Sequence, residues 1–221
     1  ALWYFSKSFS RDPEVMPLAI KAIQTYGRQE AFYFGNLLED LVQTETTIGW
    51  AIEELDKFTP RADAHFLHCR LIASVDPQVL LPRKEEILGH PAFPEDYRDT
   101  VRERLKLLAW DADDCWRELE NLCEGEETGL EKARPVIETL ARHTSQADRV
   151  LSMLGEEIED DNDPKLWMEI FLVMLAGEMR LETACPQIVA KLRRVEELLV
   201  EECAKALTMI GTASAAIALS E

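Results

Sequence analysis

Apolar residues recur every three to four positions along nearly the whole chain, and the strict alternation that marks a half-buried strand is almost absent. Between Pro94 and Trp110 the apolar positions Tyr97, Val101, Leu105 and Leu108 fall on one stripe, which predicts a helix over 94–110. Val195, Leu199, Cys203, Leu207 and Ile210 predict another. Comparable stripes run through 13–26, 30–42, 46–58, 62–74, 130–143, 147–158, 165–176 and 184–192, so the pattern implies an all-α chain of about 12–14 short helices.

The punctuation between stripes agrees with this reading. Asp12-Pro13, Thr59-Pro60, Asp76-Pro77 and Asp163-Pro164 each set a capping side chain before a proline suited to the first helical position. Gly27, Gly89, Gly125, Gly155, Gly177 and Gly211 each follow an apolar segment, where a left-handed glycine can close a helix. Gly177 and Gly211 stand 34 residues apart, with Phe171 matching Lys205 and Met174 matching Thr208 at that offset, so the match is of pattern and not of identity. Helix pairs of that length are the unit of α-solenoids, in which each pair buries its apolar face against its neighbours.

The segment EELLVEECAKALTMIGTASAAIAL resembles the second helix of a HEAT or HEAT-like repeat running into the next, with AKALTMIG at the family's helix end. LAGEMRLETACPQIVAKL and AIQTYGRQEAFYFGNLLEDL have a similar cadence of helix end, short turn and apolar helix. The resemblance is good over about 164–221, weaker over 13–58 and poor between; where the family carries an Asp and Arg pair at the turn, this chain has KLRRVEELL. It implies an α-solenoid of stacked antiparallel helix pairs forming a single domain over 1–221. Candidate internal breaks lie near 125–130 and 159–164. The start at Ala1 and the finish just past an apolar stripe suggest a piece of a longer protein.

Charge narrows the choice of partner. Lys and Arg total 24 against 42 Asp and Glu, a formal net charge of −18, which repels phosphate and anionic membrane surface. Nucleic acid and membrane are therefore not expected partners. The longest apolar run, Ile170 to Gly177, is well short of the roughly 20 residues a membrane span needs. The odd set Cys69, Cys115, Cys123, Cys185 and Cys203, with no CxxC pair, fits small buried hydrophobes in a reducing, cytoplasmic setting.

Each cluster that suggests chemistry also has a packing explanation. In LLAWDADDCWRELENLCEG, the acids Asp111, Asp113 and Asp114 with Trp110 and Trp116 suggest a cation or ligand site. A helix start explains them better, with Asp111 as cap, Asp114 three residues on, and the tryptophans packed between helices. Asp113 is the acid least needed for capping and is left for a partner. GEEIEDDNDP fails the calcium-loop template, because the sixth position from Asp161 is Leu166. His65, His68 and Cys69 share one helical turn and could supply part of a zinc site, but His90 and His143 sit at no complementary spacing. No nucleophile elbow, metalloprotease motif, phosphate loop or dinucleotide fingerprint is present, so no catalytic residue, cofactor or metal is expected.

Three adjacent aromatics cannot all face inward on a helix. Phe32, Tyr33 and Phe34 therefore join Asp113 as candidate partner-surface residues. The expected function is a non-catalytic protein–protein interaction module with an acidic surface, binding a protein or peptide of basic character. An enzyme or lyase subunit of the HEAT-like type and a compact structural or self-assembly domain are the alternatives.

Overall fold

The computed structural model describes residues 2–26, 38–57, 63–125, 129–156, 165–194 and 196–218. Their regular secondary structure is all helix, with no strand among the described residues. The chain divides into two compact units, Ala1–Leu108 and Ala109–Glu221, each with its own hydrophobic cluster.

The first unit comprises α1 (Leu2–Lys7), α2 (Val15–Tyr26), α3 (Glu45–Leu55), α4 (Asp63–Ser74), α5 (Pro77–Leu80), α6 (Lys84–Gly89) and α7 (Glu95–Lys106). Its core is the packing of α3 on α4 and of α4 on α7, joined by Ile48, Leu55, Leu71, Ile72, Phe93 and Val101, all essentially inaccessible. The helix starts come from capping chemistry. Thr44 and Thr47 form a reciprocal capping box at α3, and Asp76 accepts from the Gln78 amide with Pro77 at the first position of α5. Asp12 caps the Glu14 amide, and α2 begins at Val15, two residues beyond the expected start. The buried guanidinium of Arg104 on α7 donates to the carbonyls of Ser74 and Val75 at 3.2 Å, satisfying acceptors that the end of α4 leaves open.

The second unit comprises α8 (Ala112–Glu124), α9 (Leu130–Leu140), α10 (Ala147–Leu154), α11 (Lys165–Glu178), α12 (Cys185–Lys191), α13 (Glu197–Ile210) and α14 (Ala213–Ala218). Its axis is α11, which packs on α8, α9, α10 and α13. A helix touched from all sides must be apolar all round. Ile170 through Ala176, the longest apolar run of the chain, are accordingly all buried. Two carboxylates are buried with them. Glu169 receives Lys191 Nζ at 2.5 Å and Arg194 Nη1 at 3.3 Å, and Glu202 receives Lys205 Nζ at 2.7 Å.

The expected glycine stops need correction. Gly211 does close α13 in the left-handed conformation, at φ 68°. Gly125 and Gly155 end α8 and α10 with negative φ, Gly89 is the last residue of α6, and Gly177 lies inside α11. Gly27 lies outside the described residues. The left-handed position that ends α11 is instead taken by Arg180, at φ 51°. There the Leu181 amide reaches back to the Ala176 carbonyl and the Arg180 amide to that of Gly177, the two bonds of a Schellman closure. Phe9 closes α1 by the same pair of bonds, Ser10 to Phe5 and Phe9 to Ser6.

Candidate binding cleft

The sequence HPAFP, residues 90–94, joins α6 to α7, which opens with Glu95 and Asp96. Two prolines fix φ on either side of Ala92-Phe93, so the segment loses little entropy in holding one shape. Phe93 is buried to 1% exposure and anchors the loop in the core, in contact with the Tyr97 ring at 6.0 Å. The backbone is then pinned from several directions. The Phe93 amide donates to the His90 carbonyl at 3.1 Å, and Arg98 Nη2 donates to the same carbonyl at 2.7 Å. The Ala92 amide donates to His90 Nδ1 at 3.3 Å.

From the opposite side α4 supplies His65, itself 1% exposed. His65 Nε2 lies 2.7 Å from the Ala92 carbonyl, which can only accept, so that nitrogen carries the proton. Nδ1 then faces the Cys69 thiol at 3.8 Å. Burial pushes that thiol up to about 12, which keeps it protonated and able to donate. One residue on, Phe66 turns outward and is 37% exposed.

Together His65, Phe66, Pro91, Ala92, Phe93, Pro94 and Asp96 enclose a cleft of about 400 Å³ within the first unit. Its walls are aromatic and proline surface, and its rim is acidic. Glu95, beside it, is held below the usual carboxylate range by hydrogen bonds from Arg102 and Arg98, at 2.6 and 2.7 Å. Asp99 shares Arg102 at 2.7 Å. Asp96 faces solvent in the first turn of α7, and its carboxylate carries no ion pair among the described residues. The arrangement can hold an apolar side chain against the rings with a cation at Asp96.

The cleft draws on one residue of the His65, His68 and Cys69 group. The three do not converge. His65 is engaged by the loop, and His68 packs edge-on to Trp50 with centroids 5.1 Å apart. No group of three His, Cys, Asp or Glu side chains among the described residues is placed to hold a metal ion. Asp113 is exposed in the first turn of α8, in the second unit. Its neighbours Asp111 and Asp114 form the capping box, the Asp114 amide donating to Asp111 Oδ1 at 2.9 Å. Trp116 is buried, donates to Gln146 Oε1 at 3.0 Å and lies under the Arg149 guanidinium at 4.3 Å. Phe32, Tyr33 and Phe34 lie outside the described residues, as do Glu157 to Pro164 of the acidic stretch.

Sequence reasoning passed over Phe66, Pro91, Pro94 and Asp96. Their available signal was the paired prolines around a phenylalanine, beside two acids that a helix start also explains. Compared with protein-family models, with curated proteins and with solved structures, the chain finds no match in any of the three.

Proposed function

We propose that this chain is a non-catalytic protein–protein interaction module, a helical-repeat scaffold of HEAT-like type with an acidic surface that engages a basic protein or peptide. One observation carries the reading: an apolar cleft whose rim bears Asp96, a carboxylate with no ion pair among the described residues. Preorganised pockets reduce the entropy lost on binding, and an anionic field speeds encounter with a cationic partner. The net charge of −18 supports the same choice and disfavours nucleic acid. No helix among the described residues is long and apolar enough to cross a membrane. The described cysteines are all free thiols, in keeping with a reducing, cytoplasmic setting.

The test is affinity capture with the wild-type chain and with Phe66→Asp, which fills the mouth of the cleft with charge. A stoichiometric protein retained by the wild type and lost by the variant supports the reading. Duplex DNA bound at low salt, or a tightly held metal with no stoichiometric protein, overturns it.

A further inference from the structure

Resting on that reading, we infer that the cleft between Phe66 and the 91–94 loop recognises a peptide in which an aromatic side chain stands next to Lys or Arg. The apolar part of this specificity follows from the walls. Phe66 presents ring surface to solvent, a large apolar group left 37% exposed where its neighbours His65 and Leu67 are buried. Pro91 and Pro94 line the same cleft and are rigid apolar rings against which an aromatic side chain can pack. The volume of about 400 Å³ is enough for an open cleft to take one side chain.

The basic part follows from the rim. Of the acids at the start of α7, Glu95 and Asp99 already have arginine partners at 2.6 to 2.7 Å. Asp96 lines the cleft, and its carboxylate has no ion pair among the described residues. Arg98, two residues on, is turned to the His90 carbonyl and Glu95. Adjacency of the two ligand residues follows from the small size of the cleft, whose one lining holds both Phe66 and Asp96. His65 does not compete for the ligand, being bonded to the Ala92 carbonyl.

The experiment uses the full chain and fluorescein-labelled peptides Gly-Ser-X-Z-Ser-Gly, with Trp, Leu or Ala at X and Lys, Ala or Glu at Z, read by anisotropy. Trp-Lys is expected to bind best and Ala-Lys to lose tenfold or more. Phe66→Ala should weaken Trp-Lys by a similar factor, while circular dichroism stays unchanged because the side chain is partly exposed. Asp96→Asn should weaken Trp-Lys about two- to fivefold, the scale of one exposed ion pair. Asp96→Lys should turn the preference from Trp-Lys to Trp-Glu, a reversal that misfolding cannot mimic.

Equal affinity for Trp-Lys and Trp-Glu in the wild type overturns the inference. So does indifference to Phe66→Ala, or the absence of binding by any peptide up to about 1 mM. Tryptamine competing as strongly as the whole peptide would make the cleft a small-molecule site, which also overturns it. If a captured protein partner persists through any of these failures, the interaction-module reading survives and the peptide specificity falls alone.

Discussion

A methyl group placed on Gly177 of α11 would lie 2.9 Å from the Cα of Ala206 on α13. The two helices cross where both side chains are minimal, and the obstacle is backbone, which cannot rotate away. Alanine elsewhere in a helix is favoured over glycine by about 1 kcal/mol. Here the sign reverses: Gly177→Ala should destabilise the second unit by about 1–3 kcal/mol, as overpacking does, and Ala206→Gly should recover part of the loss. Urea denaturation followed by fluorescence of the tryptophans measures both.

Gly211 differs from Gly177 in kind. It has ordinary space around it but sits at φ 68°, a conformation that raises the energy of any residue with a Cβ. Gly211→Ala should lower stability by about 1 kcal/mol, and Gly211→Asn by less, since asparagine tolerates the left-handed region. Thermal melts of the two variants side by side separate strain from lost space.

Glu169 is the most consequential polar group of the second unit. It is 3% exposed and shared by Lys191 and Arg194, whose side chains are 11% and 22% exposed. Glu169→Ala leaves Lys191 charged and enclosed and should be destabilising by about 3–5 kcal/mol. Arg194→Ala should have a smaller effect, because Lys191 remains and the arginine is the better solvated of the two. Chemical denaturation at moderate salt is the measurement, since screening acts weakly on buried pairs.

Asp111 and Asp113 make a matched comparison. Asp111→Ala removes the side chain that accepts from the Asp114 amide and should cost about 1 kcal/mol. Asp113→Ala, in the same first turn but outside the box, should cost less, about 0.3 kcal/mol for the charge lost at the helix N-terminus, and so lower the melting temperature less than Asp111→Ala.

Burial pushes the Cys69 and Cys203 thiols up to about 12 and Cys115 and Cys123 up to about 11, from an ordinary 9.0. A folded thiol that keeps its proton while the unfolded one loses it favours the folded state below pH 9. That contribution declines as pH rises from about 9 toward 12, so stability should fall across this alkaline window. At pH 8 a chromogenic disulfide reagent should react slowly with the native chain, at the half-buried Cys123 first, and rapidly with all thiols in denaturant.

How far the sequence carries is clearest at particular residues. The Asp111 and Asp76 caps were legible because a cap is a contact between neighbours in sequence. The stripe Leu199, Cys203, Leu207 and Ile210 was legible for the same reason, and all four are buried. Gly177 was misread as a helix end because a missing side chain serves chain reversal and close helix approach alike; only the partner, Ala206, distinguishes them. Arg180 gave no sign of its left-handed role, since that conformation is enforced by the bonds around it. The cleft was illegible because Phe66 and Pro94 are 28 positions apart in the sequence and meet only through the fold. His65 drew attention as a metal ligand, while its actual task is to hold a carbonyl.

The all-round burial of Ile170 to Ala176 bears on the order of synthesis. These residues leave the ribosome before Glu197–Ile210, the helix that packs most extensively on them, has been made. In that interval α8, α9 and α10 can cover part of the segment, but the face that α13 packs on stays open, apolar surface of the kind that chaperones hold and that neighbouring copies capture. Damage to α13 would recreate the same exposure in the finished protein, so lesions there should surface as poor solubility before they surface as lost binding.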